Sequence, residues 1–181
     1  MILFVCTGNT CRSAMAEAVL RTRLDERGGV VPSVASAGTE VRGGADEVRA
    51  NSSAIEVLAE RGIDLGGHVS TSLTLELVAG ADLVVAMTRP HEAAVAAIDP
   101  TARARTFLAG EVVRLGGQVG PRGDRPLDEW IRALDGARGG HFTAGRVVDE
   151  VADPWGEPLE AYRRCADRLD GICTGLARLL T

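Results

Sequence analysis

The spacing of apolar positions along the 181-residue chain changes several times, and each change marks an element. Ile2 to Val5 is an unbroken apolar run that stops at a Gly-containing loop, which predicts a short buried strand. From Ser13 to Arg27 the spacing becomes helical, with Met15, Val19, Leu20 and Leu24 on one stripe; Gly28-Gly29 predicts the helix end. The β-branched stretch Val30 to Ser36 predicts a second strand. Ser53 to Arg61 reads as a helix closed by Gly62, and Leu73 to Ala79 as a shorter one with Ser72 as its N-cap. Asp82 to Met87 is a third strand, Pro90 to Ile98 a helix with proline in its first turn, and Arg103 to Phe107 a fourth strand. Glu157 to Leu180 carries Leu159, Tyr162, Cys165, Leu169, Ile172, Cys173, Leu176 and Leu180 at helical spacing, a long helix with one buried face.

Strands alternating with helices at these intervals predict one α/β domain of three layers: a four-stranded parallel sheet flanked by helices on both faces. The stretch from Gly116 to Val148 breaks the rhythm with clustered Gly and Pro and one helical pattern, Leu127 to Leu134. It holds too few large apolar residues for a core of its own, so it is expected to be a surface excursion of the single domain, not a second domain.

Composition narrows the chemistry. All 20 basic residues are Arg, so a Walker-type phosphate loop, a Schiff-base aldolase and a pyridoxal-phosphate enzyme are excluded. The net charge of −5 and the absence of any basic run argue against a nucleic-acid partner. No apolar stretch approaches the ~20 residues that span a bilayer, and the N-terminus has no signal-peptide pattern, so no membrane partner and a cytoplasmic location are expected. Cys6, Cys11, Cys165 and Cys173 match no common zinc spacing, and with His68, His91 and His141 as the histidines no metal site is expected.

The informative stretch is Cys6-Thr7-Gly8-Asn9-Thr10-Cys11-Arg12-Ser13, set between a strand and a helix. A loop in that setting can aim successive N–H groups inward as an anion nest, and the following helix adds free N–H groups and positive dipole. A thiol at its centre is pushed toward thiolate. Gly8 and Asn9 suit the positive-φ conformations such a loop needs. Arg12 offers a planar fork for two phosphate oxygens, and Ser13 a hydroxyl for the sulfur. These groups around one dianion make a phosphoryl-transfer site that needs no cofactor, because Arg and backbone dipoles meet the charge.

The loop C-T-G-N-T-C-R-S resembles the active-site loop of the low-molecular-weight protein tyrosine phosphatase superfamily. Ser36-Ala37-Gly38 resembles its serine-bearing turn after the second strand, Gly62-Ile63-Asp64 with His68 its next segment, and Asp153-Pro154-Trp155 its late Asp-Pro-aromatic motif. The resemblance covers the chain except roughly residues 111–151, an insertion longer than is usual in the family. It implies that Cys6 attacks phosphorus to form a phosphocysteine, and that Arg12 and the amides of Thr7, Gly8, Asn9, Thr10 and Cys11 hold the oxygens. It implies that Asp153 is the general acid and base, that Asn9, Ser36 and His68 support the loop, and that Trp155, where Tyr or Phe is usual, walls the pocket. It also implies a disulfide between Cys6 and Cys11 under oxidation, whereas Cys165 and Cys173 are expected in the core.

Thr10 stands where most members have a branched aliphatic residue; the bacterial protein-arginine phosphatases of the family have Thr. A hydroxyl there can contact a guanidinium. The expected activity is therefore hydrolysis of phosphoarginine or phosphotyrosine in a phosphorylated protein, leaning to phosphoarginine. The alternatives are a tyrosine phosphatase proper, a thioredoxin-coupled arsenate reductase, or a non-catalytic phosphate-binding module. A monomer is expected, with a weak dimer as the alternative.

Overall fold

The computed structural model describes residues 1–28, 32–42, 47–139 and 146–181. Strands β1 (Ile2–Cys6), β2 (Val34–Gly38), β3 (Leu83–Ala86) and β4 (Thr106–Leu108) form one parallel sheet in the order β2-β1-β3-β4. Helices α1 (Arg12–Arg27), α2 (Ser52–Ala59), α3 (Leu75–Ala79), α4 (Arg89–Ile98), α5 (Ala109–Val119), α6 (Leu127–Ala137) and α7 (Leu159–Leu180) cover its two faces. The single-sheet α/β expectation holds. β1 is buried on both faces, as its uninterrupted apolar run requires. Ile2 and Phe4 point into a core built with α1, α2, α5, α6 and α7, while Leu3 and Val5 meet Val78, Val84 and Val95 on the other side.

Several boundaries differ from the sequence expectation, for local reasons. The second strand begins at Val34, after Pro32 and Ser33; Val30 and Val31 lie outside the described residues. Ser36-Ala37-Gly38 is the end of that strand, not a turn after it. Thr74, not Ser72, caps α3: its Oγ1 accepts from the Leu77 amide at 3.3 Å, and Ser72 instead bridges to Gly38. Residues Pro100–Arg105 form a 3-10 helix, so β4 starts only at Thr106.

The largest departure is in the Gly/Pro-rich stretch. Helix α5 runs through Gly116 and Gly117, and α6 extends to Ala137. Trp130, Ile131 and Leu134 of α6 are buried in the main core, so this helix is core structure and not part of a surface excursion, whereas residues 117–129 before it hold no buried residue. Too few apolar residues for a separate core are enough to extend an existing one. Gly116 is there for close packing: a Cβ at this position would collide with Leu179 of α7, and one at Gly175 would lie 2.9 Å from Val113 of α5. Residues 140–145 of this stretch lie outside the described residues.

This topology dictates where a site can form. The chain leaves β1 toward β2 on one side, while β3 packs on the other, so the carboxyl end of β1 opens on a crevice. The loop of residues 7–11 sits in that crevice.

Candidate active site

Cys6 ends β1, and its Sγ lies 2.9 Å from the Oγ of Ser13 in the first turn of α1. The helix begins with Cys11 as N-cap and no side chain capping it. Among the described residues, the amides of Gly8, Asn9, Thr10 and Cys11 donate to no backbone carbonyl. A loop with free amides running into an uncapped helix N-terminus is an anion site. Cys6, Thr7, Gly8, Thr10, Cys11, Arg12, Asp153 and Trp155 line one cavity of about 430 Å³, with Glu40, Arg42 and Val48 at its edge.

Asn9 holds the loop in shape. It is fully buried with φ at +53°, the one non-glycine residue at positive φ among those described. Its Nδ2 donates to Ser13 Oγ at 2.9 Å and to Ser36 Oγ at 2.8 Å, and its Oδ1 accepts from the Thr71 amide at 2.7 Å. Its carbonyl lies 2.7 Å from His68 Nε2 and accepts from Ser70 Oγ at 2.9 Å. Ser36 passes the network on to Glu17. The positive φ expected at Gly8 is absent: one left-handed residue turns the loop, and Asn takes that conformation readily. Gly38 is needed at the end of β2, because a Cβ there would fall 2.6 Å from the Thr7 carbonyl oxygen.

Arg12 is buried, yet its guanidinium faces the cavity. Nη1 donates to the Val151 carbonyl at 3.3 Å, and Nη2 donates to Thr7 Oγ1 at 3.4 Å and to Asp153 Oδ2 at 2.5 Å. Nε has no partner among the described residues. Nε and Nη2 form one edge of the fork, the edge suited to a bidentate oxyanion. Asp153 is half exposed, and its Oδ1 accepts from the Trp155 amide at 3.2 Å. Trp155 stands at the rim and is 71% exposed.

The four cysteines are free thiols. Burial pushes Cys11 up, and its sulfur lies 3.6 Å from Thr10 Oγ1. Burial and the neighbouring Cys11 raise Tyr162 to about 12. Cys165 and Cys173 are buried on α7, the former pushed up to about 12 by burial. Among the described residues no group of three or more metal-ligating side chains converges.

Sequence reading missed His91. Its Nε2 lies 3.0 Å from Thr7 Oγ1 and its Nδ1 2.8 Å from Thr88 Oγ1. Burial and the charge of Arg12 lower its pKa to about 4. Its place just after the carboxyl end of β3, the strand beside β1, was the available signal. Glu17, Ser70 and Thr71 were missed as well, since their partners are distant in sequence. A second cavity, of about 470 Å³ and lined by Glu17, Ser36, Asp64 and His68 among others, lies behind the loop and includes none of Cys6, Arg12 and Asp153.

A sulfur at the carboxyl end of a central parallel strand, sharing one cavity with an arginine, a carboxylate and a loop of free amides, is the arrangement of a cysteine-dependent phosphatase on an α/β sheet. Residues 1–114 match the family model described as low molecular weight phosphotyrosine protein phosphatase, and the chain belongs to that family. A protein-arginine-phosphatase of Bacillus subtilis is 35% identical over 99% of this chain and 95% of its own length. A low molecular weight protein-tyrosine-phosphatase of Escherichia coli is 43% identical over 61% of this chain and 69% of its own. Among solved structures, an arginine phosphatase from Geobacillus stearothermophilus superposes with a TM-score of 0.71 at 32% identity, covering 97% of this chain and 89% of its own. An Erwinia amylovora tyrosine phosphatase superposes with a TM-score of 0.72 at 26% identity, covering 99% and 92%. No helix among the described residues is long and apolar enough to cross a membrane.

Proposed function

We propose that the protein hydrolyses phosphoarginine in phosphorylated proteins, with phosphotyrosine as a second substrate. The observation that carries this reading is the placement of Cys6, Arg12 and Asp153 on one cavity. The Cys6 sulfur attacks phosphorus, so that an S–P bond forms as the P–N or P–O bond to the substrate breaks. Asp153 gives its proton to the departing nitrogen or oxygen. The Nε–Nη2 edge of Arg12 and the loop amides of residues 7–11 bind the equatorial oxygens. Asp153 then takes a proton from water, whose oxygen attacks phosphorus; the S–P bond breaks and phosphate leaves. Ser13, 2.9 Å from the sulfur, stabilises it as it departs. Asn9, Ser36 and His68 hold the loop in this shape.

Thr10 supports phosphoarginine, because its hydroxyl on the cavity wall can accept from a guanidinium. The full-length likeness to a protein-arginine-phosphatase supports it too. The exposed ring of Trp155 offers a phenyl ring a stacking face, which favours phosphotyrosine as the second substrate. We infer a monomeric cytoplasmic enzyme working as one domain over residues 1–181, with residues 111–151 an elaboration of that domain; four unpaired cysteines fit a reducing compartment. Steady-state kinetics on phosphoarginine and phosphotyrosine peptides test the reading. Turnover of the first with the higher kcat/KM, abolished in Cys6→Ser, is expected; turnover that persists in Cys6→Ser overturns it.

A further inference from the structure

We propose that His91 is a positioning residue for Arg12, acting through the hydroxyl of Thr7. The inference rests on the function proposed above for the loop. A guanidinium only donates, so Thr7 Oγ1 accepts from Arg12 Nη2 at 3.4 Å. In this relay the single hydroxyl proton of Thr7 goes to His91 Nε2, 3.0 Å away, with Nε2 as the acceptor. The ring proton of the relay then belongs on Nδ1 and goes to Thr88 Oγ1, 2.8 Å away. Thr88 is itself fixed as the N-cap of α4, where its carbonyl accepts from the His91 amide at 3.0 Å. The chain Arg12–Thr7–His91–Thr88 thus ties the loop after β1 to the loop after β3. It works only with a neutral imidazole, which burial and the nearby Arg12 charge secure by lowering the pKa to about 4.

This tie matters when the site is working. At rest the Arg12 guanidinium is held by Asp153, Val151 and Thr7. Once Asp153 turns to the leaving group, Val151 and Thr7 are the partners that remain among the described residues. The Thr7 contact is on Nη2, half of the edge that meets the oxyanion, so losing its backing lets that edge drift.

Two substitutions separate positioning from packing. In His91→Gln the amide oxygen can take the place of Nε2 toward Thr7. In His91→Asn the shorter side chain reaches Thr88 but not Thr7. Both are measured for kcat, KM and tungstate affinity by calorimetry. His91→Asn is expected to lose about tenfold or more in kcat and in tungstate affinity, whereas His91→Gln restores most of both. Should His91→Asn fold poorly, Thr7→Val serves in its place: it removes the relay hydroxyl and is expected to show the same loss, with His91→Gln in that background adding little. Equal losses in His91→Asn and His91→Gln, or unchanged tungstate affinity in His91→Asn or Thr7→Val, overturn the proposal. The two readings fail separately. A wild type without turnover but with the tungstate pattern above sinks the proposed function alone; a wild type with turnover and no Asn-against-Gln difference sinks the role of His91 alone. A wild type that neither turns over nor binds tungstate overturns both.

Discussion

Arg12 Nη2 and Asp153 Oδ2 lie 2.5 Å apart, although 141 residues separate them in the chain. The contact holds the carboxylate beside Arg12, and in the proposed mechanism it opens for Asp153 to reach a leaving group. Asp153→Asn keeps the shape but cannot give up a proton. The expected loss in kcat is about 10²–10⁴-fold for a phosphorylated substrate with a poor leaving group, and much less for p-nitrophenyl phosphate, whose leaving group needs little protonation. Equal losses on both substrates would remove Asp153 from the acid role.

Ser13 Oγ lies 2.9 Å from the Cys6 sulfur, and in the proposed second step, where the sulfur leaves as thiolate, the hydroxyl is its donor. Ser13→Ala is expected to lower kcat by roughly 10–100-fold, from a lost hydrogen bond to a charged partner of about 1.5–3 kcal/mol. The intermediate should then accumulate. Rapid-quench phosphoenzyme measurements with labelled substrate check this, and no rise in the trapped fraction contradicts it.

Asn9 combines a left-handed backbone with side-chain bonds to Ser13, Ser36 and Thr71. Asn9→Ala removes those bonds and forces alanine into an αL conformation that costs about 1–2 kcal/mol. Asn9→Gly removes the same bonds without that strain. Both variants are expected to melt below the wild type, Asn9→Ala lower by several further degrees, and calorimetric scans measure the difference.

Glu92 is buried on α4, and its Oε1 has no partner among the described residues. Burial, reinforced by the nearby Glu111 charge, raises its pKa to about 7. A carboxyl whose folded pKa is raised binds more protons in the native state. Its contribution to stability is complete below about 4.5 and is lost as pH rises through about 7. His91 works in the opposite direction: lowered to about 4, its contribution is present above about 6.5 and is lost as pH falls toward about 4. Glu92→Gln is therefore expected to gain stability over the wild type from about pH 5 to about pH 8, read from denaturant midpoints. A constant difference across that window would show that Glu92 does not titrate there.

Thr10 faces the cavity with its hydroxyl 3.6 Å from the Cys11 sulfur. Thr10→Ile replaces a hydrogen-bonding wall by an apolar one. The ratio of kcat/KM for phosphoarginine over phosphotyrosine is expected to fall about tenfold or more. An unchanged ratio means that Thr10 does not select the substrate.

The elements legible in advance are those whose cause is local. The apolar run of β1, the stripe of α1 closed by Gly28 and the long face of α7 follow from residues next to one another. The loop from Cys6 to Ser13 was legible for the same reason, since its free amides, turn and helix start are contiguous. Gly116 misled because a glycine pair reads as a breaker, whereas here a helix needs it to approach Leu179. His91 was overlooked because nothing near it in the chain announces a partner 84 residues away.

The primary structure alone thus carried the sheet class, the main helices and the loop between β1 and α1, since short-range sterics and apolar periodicity act over a few residues. The fold added what depends on contacts between distant segments. It set Asp153 against Arg12, drew Asn9 to Ser36 and Thr71, folded α5 and α6 into the core and left His91 neutral beneath Thr7. Those outcomes follow from burial and from charges brought close by packing, which no spacing along one strand of chain encodes.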